Sequence, residues 1–566
     1  MTKAPSNDAI FWSHRDNGRV PLAPLSIAEQ AIDERTTDEQ AIGEQTGDKQ
    51  AIDEQTGDEQ ADVVIVGGGF TGLWTAYHLK RLAPEKDIRV LEARRFGHGA
   101  SGRNGGWVVG NLAGLERHLK GLTLARRQAL CELLSANVDE IGTTLSQEAI
   151  DADFHKGGAL YAAARYPAQE ALQRDYLAHL LELGHRQHDC RWLSADELSD
   201  RARFRRPFGG IFHRQVATLH PGKLIDGLVE RLAAMRVRLY EQSPATSIDD
   251  GKVTTPQGSI RAPMIVMATE GYNTLPQLRP HLVPVSSLVI ATEPLSQSQW
   301  DAIGLAQRPT FADASRLINY GHRSRDGRLI FGARGRYRFN ARPRHQASIT
   351  QGDIQMRKAL LQDLFPDLGE VDISHGWGGT LGLSRSFRPH ALVDRRAGIA
   401  TAGGYAGEGV AASHLMARTL AEMLCGQDTP LTRAPWAFDG CALDQVVRRW
   451  EPEPLRWLGA QTITLSYATE EALASRERHL PLIGPALSHR GLGESPLTGR
   501  NGGCVRPLPM NNQGSDLPQP SKGCHGRAPR SFAGYDVRRP CLGHAIDGSE
   551  LRTPGHDRAC VPWRPD

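Results

Sequence analysis

Residues 61–72 read ADVVIVGGGFTG, and this stretch decides the predicted fold. The apolar run at 61–66 has the pattern of a buried strand, and the residues after the glycines have the apolar periodicity of a helix. A second apolar strand is predicted at 88–91. A strand, a glycine-rich turn, a helix and another strand form a βαβ unit, which is typical of an α/β protein with a parallel sheet.

Three glycines of the turn, Gly67, Gly69 and Gly72, have the spacing G-x-G-x-x-G. In a dinucleotide-binding turn the first permits the tight bend, the second lets the backbone approach a pyrophosphate, and the third lets the helix pack closely on the strand. The helix N-terminus then presents N–H groups to the phosphates. Glu92 lies 20 residues after Gly72, where a carboxylate can bind ribose hydroxyls. The combination predicts dinucleotide binding; the alternatives are a structural turn and a solvated charge at a strand end.

Two further glycine-rich stretches favour FAD over a nicotinamide cofactor. Residues 97–106 read GHGASGRNGG, in which bare backbone suits close approach to a flat ring and a diphosphate. Residues 402–410 read AGGYAGEGV and precede a predicted helix at 411–424. The first N–H groups of that helix are expected to face the flavin C2 carbonyl and to stabilise the negative charge of reduced flavin. The alternatives are a flexible loop and an ordinary helix entry.

With these motifs the chain resembles the glycine/D-amino-acid oxidase superfamily of FAD-dependent oxidoreductases, and most of all proteins like γ-glutamylputrescine oxidoreductase. The resemblance covers residues 9–478, interrupted by acidic repeats. The matching stretches are DVVIVGGGFTGLWTAYHL (62–79), VLEARRFGHGASGRNGGW (90–107), DGRLIFGARG (326–335), HGWGGTLGLSRSFRPHALVD (375–394), AGGYAGEGVAASHLMARTLAEML (402–424) and WEPEPLRWLG (450–459).

The resemblance implies that FAD binds non-covalently to the three glycine-rich elements and to the segment 268–271. The implied cofactor-binding residues are Gly67, Gly69, Phe70, Thr71, Gly72, Glu92, Ala93, Arg94, Ser101, Gly102, Arg103, Asn104, Gly105, Gly106, Thr246, Ala268, Thr269, Gly271, Gly404, Gly407, Gly409 and Val410. Some relatives bind flavin covalently through His or Cys, and His98 is the candidate for such a bond. Glu270 departs from the family pattern, in which a neutral residue such as Asn is usual; a carboxylate there either weakens FAD binding or points outward.

The resemblance also implies an activity. A hydride passes from the C–H next to an amine nitrogen to flavin N5, and the resulting imine hydrolyses. The substrate is a small amine or an amino-acid-like molecule, and oxygen or another acceptor takes the electrons. No catalytic acid or base is identified. The alternatives are a flavin dehydrogenase that uses a quinone or a carrier protein, and an FAD-bound scaffold without turnover.

Candidates for the substrate site are fewer and less specific. They are Tyr320, His322, Arg323, Trp377, Arg385 and Arg388. The last two arginines can hold a carboxylate through a pair of parallel hydrogen bonds. The alternative for each of them is a surface or structural ion pair.

The predicted fold is α/β, with a discontinuous Rossmann-like FAD domain and an inserted antiparallel-sheet substrate domain. The predicted segments are an N-terminal extension at 1–61, the FAD domain at 62–110, 208–275 and 375–430, the substrate domain at 111–207 and 276–374, a C-terminal helical segment at 431–478 and a disordered tail at 479–566. The extension holds three acidic ten-residue repeats, expected to form a solvated linker. The tail is rich in Pro and Gly without apolar periodicity.

Composition excludes several classes of function. The net charge of +3 over 566 residues is too small to indicate nucleic acid or a membrane surface as a partner. No apolar run of about 18 residues and no signal peptide are found, so a cytoplasmic protein is expected. The eight cysteines form no CxxC pair and match no zinc-site spacing, which predicts reduced thiols and no metal.

Overall fold

The computed structural model describes Trp12 and residues 59–272, 275–315, 319–334, 337–345 and 349–475. All of them belong to one unit of the chain. The first two acidic repeats, the predicted tail and four of the eight cysteines (504, 524, 541 and 560) lie outside the described residues.

The described residues form 21 strands and 11 α-helices. The strands are β1 Glu59–Gln60, β2 Val63–Val66, β3 Ile88–Leu91, β4 Trp107–Val109, β5 Ala159–Ala162, β6 Cys190–Leu193, β7 Gly210–His213, β8 Val216–Thr218, β9 Arg238–Tyr240, β10 Ser247–Asp249, β11 Lys252–Thr255, β12 Gly258–Arg261, β13 Met264–Met267, β14 Leu282–Thr292, β15 Thr310–Asp313, β16 Asn319–Arg323, β17 Leu329–Arg334, β18 Ile373–Ser384, β19 His390–Asp394, β20 Ile399–Gly403 and β21 Ala437–Asp439. The helices are α1 Phe70–Leu82, α2 Leu115–Leu119, α3 Leu124–Gln147, α4 Ala168–Leu183, α5 Ala195–Ser199, α6 Pro221–Ala234, α7 Gln297–Ile303, α8 Gln351–Leu364, α9 Gly409–Leu424, α10 Leu443–Val446 and α11 Leu455–Ala474.

A seven-stranded sheet carries the glycine-rich motifs. Its order is β21-β19-β20-β13-β2-β3-β9, and the five strands from β20 to β9 are parallel. All four residues of β2 and of β3 are buried, because a central parallel strand is covered on both faces, and all of them except Arg89 are apolar. The predicted α/β fold with a parallel sheet is confirmed.

Helices α1 and α9 pack against each other beside this sheet. The rings of Trp74 and His414 meet edge to face with their centroids 4.7 Å apart. Helix α1 follows β2 and α9 follows β20, and these two strands flank β13. The carboxyl ends of parallel strands meet at one edge of a sheet, so both helices begin at the same edge.

An eight-stranded sheet forms the second layer, in the order β18-β14-β17-β16-β15-β5-β7-β6. Every neighbouring pair is antiparallel except β15 and β5. Phe311, Phe331 and Phe365 belong to the apolar core beside it. The sheet has the largely antiparallel character expected of the inserted domain.

Four strands lie where the predicted segments place something else. Strand β7 and most of β18 fall in segments assigned to the FAD domain but pair within the eight-stranded sheet. Strand β21 falls in the predicted helical segment but pairs with β19. Strand β1 comes from the third acidic repeat and pairs in parallel with β12. An ion pair between Glu59 and Arg89 holds β1 in place. No helix within the described ranges is long and apolar enough to cross a membrane.

Candidate functional site

A cavity of about 700 Å³ opens at the carboxyl edge of the parallel sheet. Val66 and Leu91, the last residues of β2 and β3, line it together with Ala268, which follows β13. Ligand sites in proteins typically enclose about 300–1,000 Å³, often where strand ends meet in an open α/β sheet. The cavity therefore has the size and the position of a cofactor site.

The first glycine-rich turn forms one wall of the cavity. Gly67 has a φ of +113°, and a Cβ atom there would lie 2.6 Å from the Ala268 carbonyl oxygen, so the bend requires glycine. A Cβ atom on Gly72 would overlap the Gly67 carbonyl, which fits its role in helix–strand packing. Gly69 is the N-cap of α1 and has no side chain with which to cap the helix, and the first turn has no acidic residue. The start of α1 is thus arranged to accept an anion.

Glu92 lines the cavity beside the glycine-rich turn. Its two carboxylate oxygens accept hydrogen bonds from the backbone N–H groups of Gly68, at 2.8 Å, and Arg94, at 3.0 Å. Loss of hydration raises the pKa of Glu92, and the backbone hydrogen bonds oppose this rise. Each carboxylate oxygen has a further lone pair, so the side chain can still bind ribose hydroxyls.

Residues 100–106 form a loop held by its own side chains. The Ser101 hydroxyl accepts a hydrogen bond from the N–H of Phe70 at 2.9 Å, which joins this loop to α1. The Asn104 side chain donates to the Ser101 carbonyl at 2.6 Å and accepts from the N–H of Gly106 at 2.8 Å. Arg103 donates to the His345 carbonyl at 2.8 Å and does not line the cavity. The loop is therefore ordered by internal hydrogen bonds, against the alternative of a flexible segment.

The third glycine-rich element leads into α9 on the opposite side. Its N-cap is Glu408, whose side chain makes no capping hydrogen bond, and the first turn of α9 has no acidic residue. The hydroxyls of Tyr405 and Thr71 lie 2.9 Å apart and share a hydrogen bond. This contact joins the start of α9 to the first turn of α1. Two helix N-termini therefore border one cavity, and neither is capped by the side chain of its own N-cap residue.

Glu270, the departure from the family pattern, lines the cavity. Its backbone is left-handed, with a φ of +44°, and its carboxylate accepts a hydrogen bond from the N–H of Gly404 at 3.2 Å. Loss of hydration raises the pKa of Glu270 to about 7, although backbone hydrogen bonds from Gly404 and Gly382 oppose the shift. Close to neutral pH the side chain therefore exists in both the neutral and the charged form.

His98, the candidate for covalent attachment, also lines the cavity. Its Nε2 lies 3.3 Å from Nδ1 of His345 and 3.4 Å from a guanidinium nitrogen of Arg103. Burial and the charges of Arg103 and Arg94 lower the pKa of His98 to about 3. The imidazole is neutral at physiological pH.

The structure brings most of the predicted cofactor residues to the cavity. Those that line it are Gly67, Gly69, Phe70, Thr71, Glu92, Ala93, Arg94, Ser101, Asn104, Ala268, Thr269, Gly271, Gly407, Gly409 and Val410. Those that do not are Gly72, Gly102, Arg103, Gly105, Gly106, Thr246 and Gly404. Lining residues that the sequence prediction omits include Gly68, Gln242, Gln257, Tyr272, His345, Leu381 and Tyr405. The sequence offered a signal only for Gly68 and Tyr405, which lie inside glycine-rich stretches.

The predicted substrate residues do not line this cavity. Tyr320 and His322 lie behind Gly105, whose carbonyl is 2.9 Å from Nε2 of His322. The indole of Trp377 is fully buried and donates to the Arg103 carbonyl at 3.0 Å.

The three arginines proposed beside them have structural partners. Arg385 forms an ion pair with Glu451 at 3.0 Å, which is the alternative that the sequence left open. Arg388 contacts Nδ1 of His118 at 3.2 Å, and Arg323 stacks on the ring of Trp300 at 4.4 Å.

The cavity lies at the edge of a parallel sheet and combines a G-x-G-x-x-G turn, an acid after the second strand and two helix N-termini. Together these features define a dinucleotide-binding protein. Residues 62–423 match the model of the DAO family, FAD dependent oxidoreductase. This chain belongs to that family, so its cofactor is FAD and it is an oxidoreductase.

Relatives match about two thirds of this chain and most of their own length. A protein of Rhizobium meliloti named "Probable oxidoreductase OrdL" is 30% identical over 380 residues, covering 66% of this chain and 84% of the relative. "Gamma-glutamylputrescine oxidoreductase" of Escherichia coli is 28% identical over 374 residues, covering 64% and 84%. The solved structure of glycine oxidase from Geobacillus kaustophilus superposes with a TM-score of 0.55 at 18% identity, covering 67% of this chain and 98% of that one. The last similarity shows the fold alone.

Proposed function

We propose that this enzyme oxidises the carbon–nitrogen bond of a small amine or an amino-acid-like substrate. Support comes from its relatives, among which are a γ-glutamylputrescine oxidoreductase and, in fold, a glycine oxidase and an L-amino acid deaminase. When bound, FAD supplies the electron sink: the hydride of the C–H next to the amine nitrogen passes to flavin N5, and the imine is hydrolysed to a carbonyl and ammonia or an amine.

The observation that carries the proposal is a pair of helix N-termini at one cavity, neither of which is capped by the side chain of its own N-cap residue. The start of α1 and the turn around Gly69 are proposed to hold the pyrophosphate, and Glu92 the ribose hydroxyls. The start of α9, with Gly409 and Val410, is proposed to face the flavin ring, where its N–H groups stabilise negative charge. The size of the cavity and the donors around it suit a large dinucleotide.

The wall opposite the parallel sheet suits an apolar part of the ligand. Leu381 and Gly382, from the edge strand β18, line the cavity beside Tyr272. A Cβ atom on Gly271 would lie 2.6 Å from the backbone nitrogen of Gly382, so the two layers touch here. We propose that β18 helps to exclude water and to orient the substrate, which raises the rate by positioning.

Anaerobic reduction of the bound flavin tests the proposed substrate class. The purified enzyme is mixed without oxygen with a panel that includes γ-glutamylputrescine, glycine, other amino acids and simple alcohols. Bleaching of the visible flavin absorbance by an amine, and not by the alcohols, is the expected result. Bleaching by alcohols alone would contradict the proposal, and so would an enzyme that holds FAD yet is reduced by no amine.

The electron acceptor and the location are separate proposals. Oxygen is the proposed acceptor, and the measurement is peroxide release compared with the reduction of an artificial dye in air. Faster dye reduction with no peroxide would favour a quinone or a carrier protein. A cytoplasmic location is proposed because Cys131, Cys190, Cys425 and Cys441 form no disulfide among the described residues.

A further inference from the structure

Three ligand-type side chains meet away from the cofactor cavity. His185, Cys190 and His213 offer two ring nitrogens and one sulfur that all lie within 4.8 Å of one another. Their exposed fractions are 4%, 1% and 2%. None of the three lines the cofactor cavity, so the cluster is independent of the proposed function.

The fold holds this cluster on three fixed backbones. Cys190 begins β6 and His213 ends β7, and the two residues are direct partners in the antiparallel pair. Opposite residues of such a pair have Cβ atoms about 4.5–5.5 Å apart. Helix α4 is followed by its C-cap, Gly184, which has a φ of +116°. The N–H of the next residue, His185, donates to the Leu180 carbonyl at 3.1 Å. The turn directs His185 over the edge of the sheet.

The imidazoles lack the partners that buried polar groups normally have. Both ring nitrogens of His185 and Nε2 of His213 are buried, and no group among the described residues forms a hydrogen bond with them. Buried side-chain nitrogens are usually hydrogen-bonded, because leaving them unpaired costs free energy. The nearby Asp189 accepts from the side chain of Gln215 at 2.9 Å and forms no hydrogen bond with either ring nitrogen of His185.

The donor set indicates which ion would fit. Two imidazoles and one thiolate suit zinc, whereas magnesium and calcium prefer oxygen ligands. Zinc ligands lie about 2.0–2.3 Å from the ion, so two ligand atoms of a tetrahedral site are about 3.3–3.8 Å apart. The ligand atoms here lie within 4.8 Å of one another, so side-chain rotations must bring them closer around the ion.

We propose that His185, Cys190 and His213 bind one zinc ion, which ties the end of α4 to the β6–β7 edge of the eight-stranded sheet. Three protein ligands leave a fourth position for a small ligand such as water. The cysteine pattern predicts no metal, because it contains no CxxC pair, and the two histidines are separated from Cys190 by 4 and 22 residues. Only the pairing of β6 with β7 brings the residues together.

Cobalt titration of the full-length protein tests the site. The holoenzyme is first treated with a chelator and then titrated with Co²⁺, which reports a thiolate ligand by its charge-transfer absorbance. Cys190→Ser should abolish this absorbance, and Cys441→Ser, whose thiol lies outside the cluster, should retain it. Loss of the thiolate is expected to weaken binding by more than about 100-fold, because even outer-shell changes cost about 10–100-fold.

A second measurement covers the case in which Cys190→Ser does not fold. X-ray absorption at the zinc edge of the wild-type protein should show one sulfur at about 2.3 Å and nitrogens at about 2.0 Å. Flavin content gives a control for folding of each variant, and it should not change. Absence of bound metal in the wild type, a first shell without sulfur, or an unchanged cobalt band in a folded Cys190→Ser variant would overturn the proposal.

Discussion

Gly69 is the N-cap of helix α1 and lines the cavity. A Cβ atom there would lie 2.7 Å from the Ser101 hydroxyl, and a larger side chain would extend into the space proposed for the pyrophosphate. Gly69→Val should therefore abolish FAD binding. The matched control is Gly352→Val, because a Cβ atom on Gly352 meets only one atom, 3.9 Å away. Flavin content per purified chain is the measurement, and normal FAD in Gly69→Val would show that the phosphates lie elsewhere.

Glu92→Ala tests the proposed contact with the ribose hydroxyls of FAD. The substitution removes charged hydrogen bonds worth about 1.5–3 kcal/mol in total, so FAD affinity should fall by about 10- to 100-fold without being lost. Glu85→Ala, at an exposed position, is the control and should bind FAD normally. The dissociation constant of FAD, measured with the stripped protein, checks the result. Equal affinity in the two variants would remove Glu92 from the site.

The raised pKa of Glu270 predicts a dependence of stability on pH. Its folded-state pKa of about 7 lies above the ordinary value of 4.5, so its contribution to stability is complete below pH 4.5 and is lost as the pH rises through 7. Glu270→Gln should flatten the fall in melting temperature across this interval. Glu408, whose pKa burial also raises to about 7, keeps part of the slope. If the melting temperature of the variant falls with pH as steeply as that of the wild type, this assignment of the pH dependence to Glu270 is wrong.

At the scale of elements, the hydrogen bond between Tyr405 and Thr71 fixes the start of α9 relative to the start of α1. Tyr405→Phe removes only the hydroxyl. A hydrogen bond of this kind contributes about 0.5–1.5 kcal/mol, so FAD affinity should weaken by about 2- to 10-fold. Tyr467→Phe, on α11, is the matched control. If both variants bind FAD as the wild type does, the contact does not organise the site.

Elements with strong local patterns could be predicted from the sequence. The buried strands at 61–66 and 88–91 are observed as Val63–Val66 and Ile88–Leu91, and the helix expected at 411–424 is observed as Gly409–Leu424. Strand β17 pairs with β14 on one side and with β16 on the other. Pairing partners that are distant in sequence leave no local pattern.

At the scale of the whole molecule, distant segments complete the site. Tyr272, His345 and Leu381 line the cavity because β18 and the segment before α8 come to the edge of the parallel sheet. No spacing or periodicity in the sequence marks them. Arg385 could not be assigned either, because its partner Glu451 is brought near only by the fold.

Truncation tests the boundary of the folded enzyme. Residues 481–566 contain 12 Pro and 13 Gly, a composition that predicts too little apolar burial to offset an ordering cost of about 1–2 kcal/mol per residue. Their deletion should leave flavin content and turnover nearly unchanged, since α11 and the ion pair between Glu471 and Arg165 are retained. Limited proteolysis of the full chain should yield the same yellow core. Loss of FAD or unfolding after the deletion would show that the folded enzyme includes residues beyond 480.

The flavin content of the purified full-length chain tests the central claim most directly. Acid releases the flavin from the protein, and the amount of flavin in the supernatant, measured from its visible spectrum, is divided by the amount of protein. The expected result is one FAD per chain, with all of the flavin in the supernatant and none left on the protein. A colourless protein that gains no bound flavin after incubation with FAD would contradict the account.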